Sequence, residues 1–284
     1  MNIKSVFNYL RKKPSNVIAV IFLFLVFSLS VSIPFLSPYS DDIYGAVFFE
    51  NKNHLPSLSH WFGTDSAGRD VFTLTVYGAL SSFKVAFGVV LCSVLIGVPV
   101  GLISGISSGS KTDEVLMRIS DGFLAFPPLV LPIVISTVLG PSLNNIIIGI
   151  AISWFPWYAR ISRSQTIIIR SSEYVMVSRS LGASNFHIVK NHILPNIVNP
   201  IIIQGSIDAG YAILTAAGLS FIGLGVQPPD VEWGLLINTA RSQFLNNWWV
   251  MFFPGVFMIL SVVSFNIIGD GLREYYNREW DQVQ

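Results

Sequence analysis

Long apolar runs alternate along this chain with shorter polar stretches. An α-helix needs about 20 apolar residues to cross the hydrocarbon core of a bilayer. Six runs approach that length, and each predicts a transmembrane helix. We place these helices at residues 17–36, 82–105, 121–139, 142–160, 199–220 and 249–268. The pattern therefore predicts an all-α membrane protein with six spans.

The composition agrees with lipid as the main solvent. Hydrophobic residues make up 52% of the 284-residue chain and charged residues only 12%, which is about half the charged share of a soluble domain. The net charge of +1 gives no reason to expect a nucleic-acid partner, and we predict none. The single cysteine, Cys92, lies in an apolar run and cannot build a disulfide framework or a cysteine metal site.

The distribution of Lys and Arg predicts the orientation of the spans. Four segments contain 13 of the 17 Lys and Arg residues, namely the N-terminal tail 1–16, the connections 106–120 and 160–198, and the C-terminal tail 273–284. Cytoplasmic loops are enriched in these residues, so both termini are predicted to lie in the cytoplasm. Residues 37–81 are then an external segment and residues 82–272 the core of a multi-pass protein in the plasma or inner membrane.

The external segment contains the stretch HWFGTDSAGRDVF. Thr64 or Asp65 would make a good helix N-cap there, because the side-chain oxygen can accept a hydrogen bond from a backbone N–H of the first turn. One interpretation is therefore a capped helix that lies on the membrane surface. Further along the chain, Trp233, Trp248 and Trp249 are expected to anchor the protein at the membrane interface.

Two spans contain residues that bear on helix packing. Gly97, Gly101 and Gly105 recur at intervals of four in the second span, a spacing that allows helix backbones to approach closely. In the third span, Pro127 and Pro128 interrupt the hydrogen-bond ladder. They fit either the start of the membrane helix or a bend beside a permeation path.

The fifth span contains a carboxylate, Asp208, near its middle and Gln204 one turn away. An ionisable group at this depth is costly, and by default it indicates a pathway or a buried partner. We expect both residues to line a pathway, with a structural hydrogen bond or a shallower position as the alternatives. After the last span, Gly269 and Gly271 are expected to end the helix before the polar tail.

The sequence lacks the groups that an enzyme would need. It contains no phosphate-binding G-x-x-x-x-G-K-[ST] loop and no G-x-G-x-x-G after a strand, and its four histidines do not have the spacing of a metal site. We therefore expect no catalytic residue, no metal site and no cofactor bound by this chain. Active transport would take its energy from another subunit. The alternatives to such an externally powered transport subunit are a secondary carrier that works alone and a membrane scaffold.

The connection between the fourth and fifth spans, about residues 161–198, is long enough to form helices of its own. SSEYVMVSRSLG predicts a helix that ends at Gly182, a suitable C′ residue. Ser184 or Asn185 can cap a second short helix, which Pro195 would end before the next span. This helix–turn–helix would lie outside the lipid. Its apolar stripe suits a groove on a partner and consists of Tyr174, Val177 and Leu181.

This connection resembles the coupling loop of permease subunits in binding-protein-dependent ABC importers. The family pattern is E-A-A-x-x-x-G-x(9)-I-x-L-P, and Gly182, Leu194 and Pro195 match it. The E-A-A positions are occupied by Met176, Val177 and Ser178. His192 replaces the isoleucine, and Glu173, one turn earlier, is the candidate substitute for the missing acid. The resemblance implies an ATPase-coupling surface made of Glu173, Met176, Val177, Ser178, Gly182, Ala183, His192, Leu194 and Pro195.

Three further stretches resemble the dipeptide/oligopeptide branch of this family. HWFGTDSAGRDVFTLTVYGALSS is similar to its G-T-D-x-x-G-R-D segment, and ILTAAGLSFIGLGVQPPDVEWGLLI to its L-S-F-L-G-L-G-x-x-P-P-x-x-x-W-G run. FFPGVFMILSVVSFNIIGDGLRE resembles its C-terminal ending. The resemblance covers about residues 58–274. It implies an external motif made of Gly63, Thr64, Asp65, Gly68, Arg69 and Asp70.

The resemblance also implies a function and a set of partners. The chain would be the permease subunit of an ABC importer for di- or oligopeptides, with nickel chelates or oligosaccharides as alternatives. Its partners would be a second homologous permease chain, two ATPase subunits, an extracellular solute-binding protein and membrane lipid. ATP and Mg would be used by the ATPase subunits, and this chain would form half of the pathway.

Overall fold

The chain folds as a bundle of helices. The computed structural model describes residues 9, 11 and 13–281, with side chains through Asn277, and these residues contain no β-strand. The all-α class predicted from the sequence is therefore confirmed. The helices are α1 (Pro14–Leu36), α2 (Val71–Ile106), α3 (Lys111–Leu124), α4 (Val130–Leu139), α5 (Leu143–Arg170), α6 (Glu173–Ser180), α7 (Asn185–Ile188), α8 (Leu194–Phe221), α9 (Trp233–Ala240) and α10 (Trp248–Asp281).

Among the described residues, four helices have the length and apolarity to cross a membrane. They are α1, α2, α10 and the continuous helical stretch Asn185–Phe221, which includes α7 and α8. α4 is apolar but only 10 residues long, or about 15 Å at 1.5 Å per residue. α5 is long enough, but Arg160, Arg163 and Arg170 lie in its second half. The membrane class is confirmed, and only four of the six predicted spans correspond to helices that could cross alone.

The predicted third span, residues 121–139, is not a single helix. α3 ends at Leu124 and α4 begins at Val130, with Pro127 and Pro128 between them. Proline has no backbone N–H to donate, and its ring clashes with the preceding turn of a helix. Two prolines in succession therefore end the hydrogen-bond ladder. The prolines precede the apolar helix α4, which matches the interpretation that they mark the start of a helix and not a bend within one.

α2 and α5 pack together along the small-residue stripe predicted for the second span. A Cβ atom added to Gly97 would lie 2.4 Å from the carbonyl oxygen of Phe155, and one added to Gly101 would lie 2.2 Å from that of Ala159. Gly105, one turn further along, is also too close to α5 for a side chain. Because only glycine fits at these distances, the predicted close approach of the two backbones is confirmed.

The start of α1 and the last part of α10 meet on the same side of the bundle. Lys13, which precedes α1, donates a hydrogen bond to Glu274 in the last part of α10.

α10 passes through Gly269 and Gly271, which were expected to end it. Gly269 instead packs against Ile207 of α8, where a Cβ atom would lie 2.7 Å from the Ile207 side chain. The predicted C-terminal tail is thus largely helical, and most of the predicted N-terminal tail lies outside the described residues.

Candidate functional site

The loop between α5 and α8 has its turn fixed by backbone hydrogen bonds. α6 ends in a Schellman motif, in which Ala183 donates its N–H to the carbonyl of Ser178 (3.1 Å) and Gly182 donates to that of Arg179 (3.0 Å). Gly182 occupies the C′ position with a φ of 90°, where a residue with a Cβ atom is strained. No described atom lies within 4 Å of the position that this Cβ would take. The glycine is therefore required by the turn and not by close packing.

The second half of the loop leads directly into α8. Ser184 caps α7, as predicted, because its Oγ accepts a hydrogen bond from the N–H of His187 (3.2 Å). Residues Val189–Ile193 form a π-helical turn, and α8 follows without a gap. Pro195 therefore lies in the first turn of α8. The expectation that Pro195 would end the second helix was wrong. The wider π turn accommodates the missing N–H and the bulk of the proline ring.

One face of this loop is anchored to the bundle. Val175 of α6 and Ile188 of α7 are each 1% exposed, and Ile193 and Ile197 are fully buried. They pack in one cluster with Val98 and other apolar side chains of α2 and α5. Burial of an aliphatic side chain of this size contributes roughly 1.5–3 kcal/mol. The position of the loop is consequently tied to the ends of α2 and α5.

The opposite face of the loop is exposed and mainly apolar. Six apolar side chains there have exposed fractions between 39% and 84%, namely Tyr174, Met176, Val177, Leu181, Phe186 and Leu194. Arg179 and Lys190 add positive charge to the same loop, against the single carboxylate of Glu173. Contiguous exposed apolar groups with a polar rim are typical of an interaction surface.

The remaining residues of the predicted coupling surface lie at its edge. Glu173 and Pro195 are exposed, whereas Ser178, Ala183 and His192 are half-buried. The ring of His192 lies 5.7 Å from the ring of the exposed Tyr174, measured between centroids. The structure therefore brings all of the predicted coupling residues together on one loop.

An ion pair that the sequence did not reveal fixes α3 to α5 at the same end of the bundle. Arg163 donates from Nε and Nη2 to the two carboxylate oxygens of Asp113, at 2.7 and 2.8 Å. Ser104 and the N–H of Gly109 donate to the same carboxylate. The Arg163 guanidinium holds the pKa of Asp113 well below its usual range. The available signal was the S-x-x-D pattern that begins at Ser110, which indicates a helix start.

The carboxylate predicted to line a pathway is held by hydrogen bonds. Tyr158 of α5 donates its hydroxyl to Oδ2 of Asp208 at 2.7 Å, and Gln204 donates Nε2 to Oδ1 at 2.9 Å. Tyr158 is fully buried, whereas Asp208 and Gln204 are half-buried. This geometry matches the alternative of a structural hydrogen bond, which joins α8 to α5. A pathway role for Asp208 and Gln204 stays a prediction.

The external motif forms a tight loop and not a helix on the membrane surface. Asp65 accepts hydrogen bonds from the N–H groups of Ala67 and Arg69, at 2.8 and 2.9 Å, and from the Arg69 guanidinium. Gly68 has a φ of 79°, and a Cβ atom at this position would overlap the carbonyl group of Phe48. The motif is therefore a compact turn that its own side chains close.

The helix after this loop, α2, begins at Val71, whereas the predicted second span begins at residue 82. Its N-cap lies later in the chain than the two predicted candidates. The N-cap of α2 is Asp70 and not Thr64 or Asp65, since the Asp70 carboxylate accepts a hydrogen bond from the N–H of Thr73 (2.8 Å). The Thr64 hydroxyl instead accepts a hydrogen bond from the backbone of His54. Part of the predicted external segment consequently belongs to α2.

Two of the three tryptophans expected at the membrane interface are core residues. The indole N–H of Trp249 donates to the carbonyl of Thr64 (3.1 Å), and its ring lies against Gly63. Trp249 is 2% exposed and Trp233 is fully buried, whereas Trp248 is 46% exposed. The external loop is thereby fixed to the start of α10.

Buried carboxylates stabilise the external side by accepting hydrogen bonds from backbone N–H groups. Asp42 accepts one from Asp70 (2.6 Å), and Glu232 caps α9 through Gly234 and Leu235 (2.9 and 3.1 Å). Both acids are 2% exposed. Burial raises the pKa of Asp42 and of Glu232. Because both carboxylates accept hydrogen bonds from backbone N–H groups, these acids stabilise the fold.

The described residues contain no group of three or more His, Cys, Asp or Glu that could hold a metal ion. What they do contain is a helical membrane bundle with an exposed apolar loop anchored at one end. These features define a helical membrane protein with an exposed apolar surface at one end of the bundle.

Comparison with known proteins identifies the family. The family model for the inner membrane component of binding-protein-dependent transport systems matches residues 97–282. The chain belongs to this family and is a transport component, which confirms the family inferred from the coupling-loop pattern.

The curated relatives are permeases of peptide transport systems. The chain is 38% identical to the probable D,D-dipeptide transport system permease protein DdpC of Escherichia coli K12, over 93% of this chain and 88% of that one. It is 40% identical to the dipeptide transport system permease protein DppC of Alkalihalophilus pseudofirmus, over 95% of this chain and 88% of that one. It is 37% identical to the glutathione transport system permease protein GsiD of Pectobacterium atrosepticum, over 91% of this chain and 85% of that one.

A solved structure shares the fold. The inward-facing MetNI methionine ABC transporter contains a chain that matches with a TM-score of 0.58 and 20% identity, over 72% of this chain and 96% of that one. This similarity shows the fold, and the family model and the named relatives identify the chain as a transport permease.

Proposed function

We propose that this chain forms half of the translocation pathway of an ATP-driven importer for di- or oligopeptides. A second, homologous permease chain would form the other half, and an extracellular binding protein would deliver the solute. Two ATPase subunits would bind ATP and Mg, and this chain would bind no cofactor. In this proposal the chain crosses the membrane six times with both termini in the cytoplasm, and α4 and α5 supply the third and fourth crossings inside the bundle.

The observation that carries the proposal is the coupling loop, residues 171–195. Its inner face is buried against α2 and α5, and its outer face exposes six apolar side chains. A loop that was exposed on both faces would bend when a partner pushed it. Because this loop is anchored, a displacement at its outer face would pass to the spans.

The mechanism that follows is alternating access. ATP binding would close the ATPase pair and move the coupling loop of each permease chain. Since Ile193 and Ile197 connect the loop to α8 within one buried cluster, α8 would move with it relative to its counterpart in the second chain. The pathway between the two chains would then open outward and receive the solute.

The relatives support a peptide as the solute. Their names specify D,D-dipeptides, dipeptides and glutathione, all of which are short peptides. Identities of 37–40% over almost the whole chain make a related solute the best-supported choice for this chain.

The variant Gly182→Asp tests the coupling surface. Aspartate would strain a turn that requires a φ of 90° and would place a charge at the edge of an apolar surface. We expect the variant to reach the membrane and to lose its ATPase subunits during purification. ATP-dependent uptake of a labelled dipeptide into proteoliposomes should fall by roughly tenfold or more, which corresponds to a loss of about 1.4 kcal/mol of coupling.

Gly223 offers a matched control at the other end of α8. It occupies the C′ position of an equivalent Schellman motif, in which Gly223 donates to Ser220 and Leu224 to Leu219. Its φ is 83° and no described atom lies within 4 Å of its Cβ position. Gly223→Asp should therefore carry similar backbone strain and still retain the ATPase subunits. Equal loss of the ATPase from both variants, or retention by Gly182→Asp, would contradict the coupling assignment.

A further inference from the structure

A cavity of about 370 Å³ lies at the end of α2 that faces away from the coupling loop. It is lined by α2, the start of α5 and the connection that follows α8, and it is open to the surface. Its polar lining includes one cation, Lys84, and one anion, Asp230, together with Ser142 and Asn144 at the N-terminus of α5. The apolar part of the lining consists of Leu80, Leu143 and Val226.

The two charged groups in this cavity are available to a ligand. Lys84 and Asp230 are both exposed, and neither has an ion-pair partner within 4.0 Å in the part of the chain that the structure describes. Lys84 is also the single charged residue in α2. A cation in an otherwise apolar helix needs a counter-charge or the polar headgroup region of a bilayer.

The position of Lys84 fits the headgroup region. Ile106 ends α2 22 residues after Lys84, a distance of about 33 Å at 1.5 Å per residue and close to the roughly 30 Å thickness of the hydrocarbon core. Three apolar side chains follow at helical spacing on the same face of α2. They are exposed by 59%, 59% and 63% and are Phe87, Leu91 and Leu95.

We propose that this cavity binds the headgroup of a phospholipid that has a primary ammonium group, as in phosphatidylethanolamine. The lipid phosphate would contact Lys84 and the N-terminal end of α5, where the helix dipole favours an anion. The ammonium would donate hydrogen bonds to Asp230, and an acyl chain would lie along the stripe that begins at Phe87. The separate cation and anion match a zwitterion, with one protein charge for each charge of the headgroup.

The same arrangement discriminates against other common lipids. A phosphatidylglycerol headgroup has no cation to satisfy Asp230, and its negative charge would be repelled by that carboxylate. A phosphatidylcholine headgroup has a quaternary ammonium, which has no N–H to donate to a carboxylate. Selectivity for the primary ammonium is therefore the property that a test should measure.

The test is quantitative mass spectrometry of the lipids that stay with the chain. The full chain, with whatever partner chains accompany it, would be reconstituted in equal amounts of the three lipids named above and repurified in mild detergent. We expect phosphatidylethanolamine to be enriched by roughly fivefold over the others, a modest factor suited to charge-assisted hydrogen bonds at an exposed site. Lys84→Ala and Asp230→Asn should each abolish this enrichment.

Matched controls and a charge exchange make the test decisive. Lys52→Ala and Asp41→Asn remove the same charges from exposed positions outside the cavity and should keep the enrichment. The exchange of Lys84→Asp with Asp230→Lys should recover part of it. Equal enrichment in all variants would overturn the proposal, and so would dependence on Lys84 alone, which indicates a site for anions. Displacement of the lipid by a free dipeptide at millimolar concentration would also overturn it, because the cavity would then be a peptide site.

Discussion

At Asp113 a single carboxylate connects three helices. It accepts hydrogen bonds from Arg163 of α5 and from Ser104 of α2, and Asp113 itself lies in the first turn of α3. Asp113→Asn keeps the shape of the side chain and removes its charge. We expect the free energy of unfolding to fall by roughly 2 kcal/mol, since hydrogen bonds to charged groups contribute more than neutral ones. Thermal unfolding of the purified chain in detergent would measure the change.

The pH dependence of this effect follows from the direction of the pKa shift. The pKa of Asp113 is lowered by Arg163 in the folded chain, so the charged pair stabilises the fold fully above the ordinary pKa of an aspartate, 3.8. The difference between wild type and Asp113→Asn should be constant at neutral pH and shrink below about pH 4. Glu114→Gln is the control, because its ion pair with Arg118 is exposed and should change stability by less than about 0.5 kcal/mol. An equal loss in Glu114→Gln would mean that the buried pair is not the cause.

At the scale of elements, two glycines should respond to alanine with opposite signs. A Cβ atom at Gly101 would lie 2.2 Å from the carbonyl oxygen of Ala159, so Gly101→Ala should separate α2 from α5 and destabilise the chain by more than about 2 kcal/mol. Gly122 lies inside α3, and no described atom lies within 4 Å of its Cβ position. Gly122→Ala should stabilise the chain by roughly 0.5–1 kcal/mol, the helix-propensity difference. Unfolding temperatures in detergent would measure both shifts, and a Gly101→Ala variant as stable as the wild type would contradict the packing described for α2 and α5.

The sequence predicts elements well where their signals are local. The C′ position of Gly182 and the cap at Ser184 depend on neighbouring residues, and both are confirmed. The predicted end of α10 was wrong because Gly269 serves tertiary packing, and a glycine has the same sequence signature in either role. Similarly, no local pattern pairs Asp113 with Arg163, which are 50 positions apart.

At the scale of the whole molecule, polar anchors are found at both ends of an otherwise apolar bundle. The Asp113–Arg163 pair lies at the end with the coupling loop, and the Asp65, Asp70 and Glu232 contacts lie at the other. Between them, helix packing depends on small residues, which allow close contact without directional bonds. We expect such a bundle to rearrange in its middle while both ends keep their shape, as the proposed alternating access requires.

One directional bond in the middle of the bundle joins Tyr158 of α5 to Asp208 of α8. If this bond holds the two helices together during transport, Tyr158→Phe and Asp208→Asn should affect stability through the same contact. The double variant should then be less destabilised than the sum of the single variants by roughly 1 kcal/mol, the scale of interhelical hydrogen bonds in membranes. Dipeptide uptake should fall together with stability in all three variants. If instead Asp208→Asn abolishes uptake while Tyr158→Phe leaves it intact and the stabilities are additive, the carboxylate acts on the solute, and the pathway interpretation of Asp208 replaces the structural one.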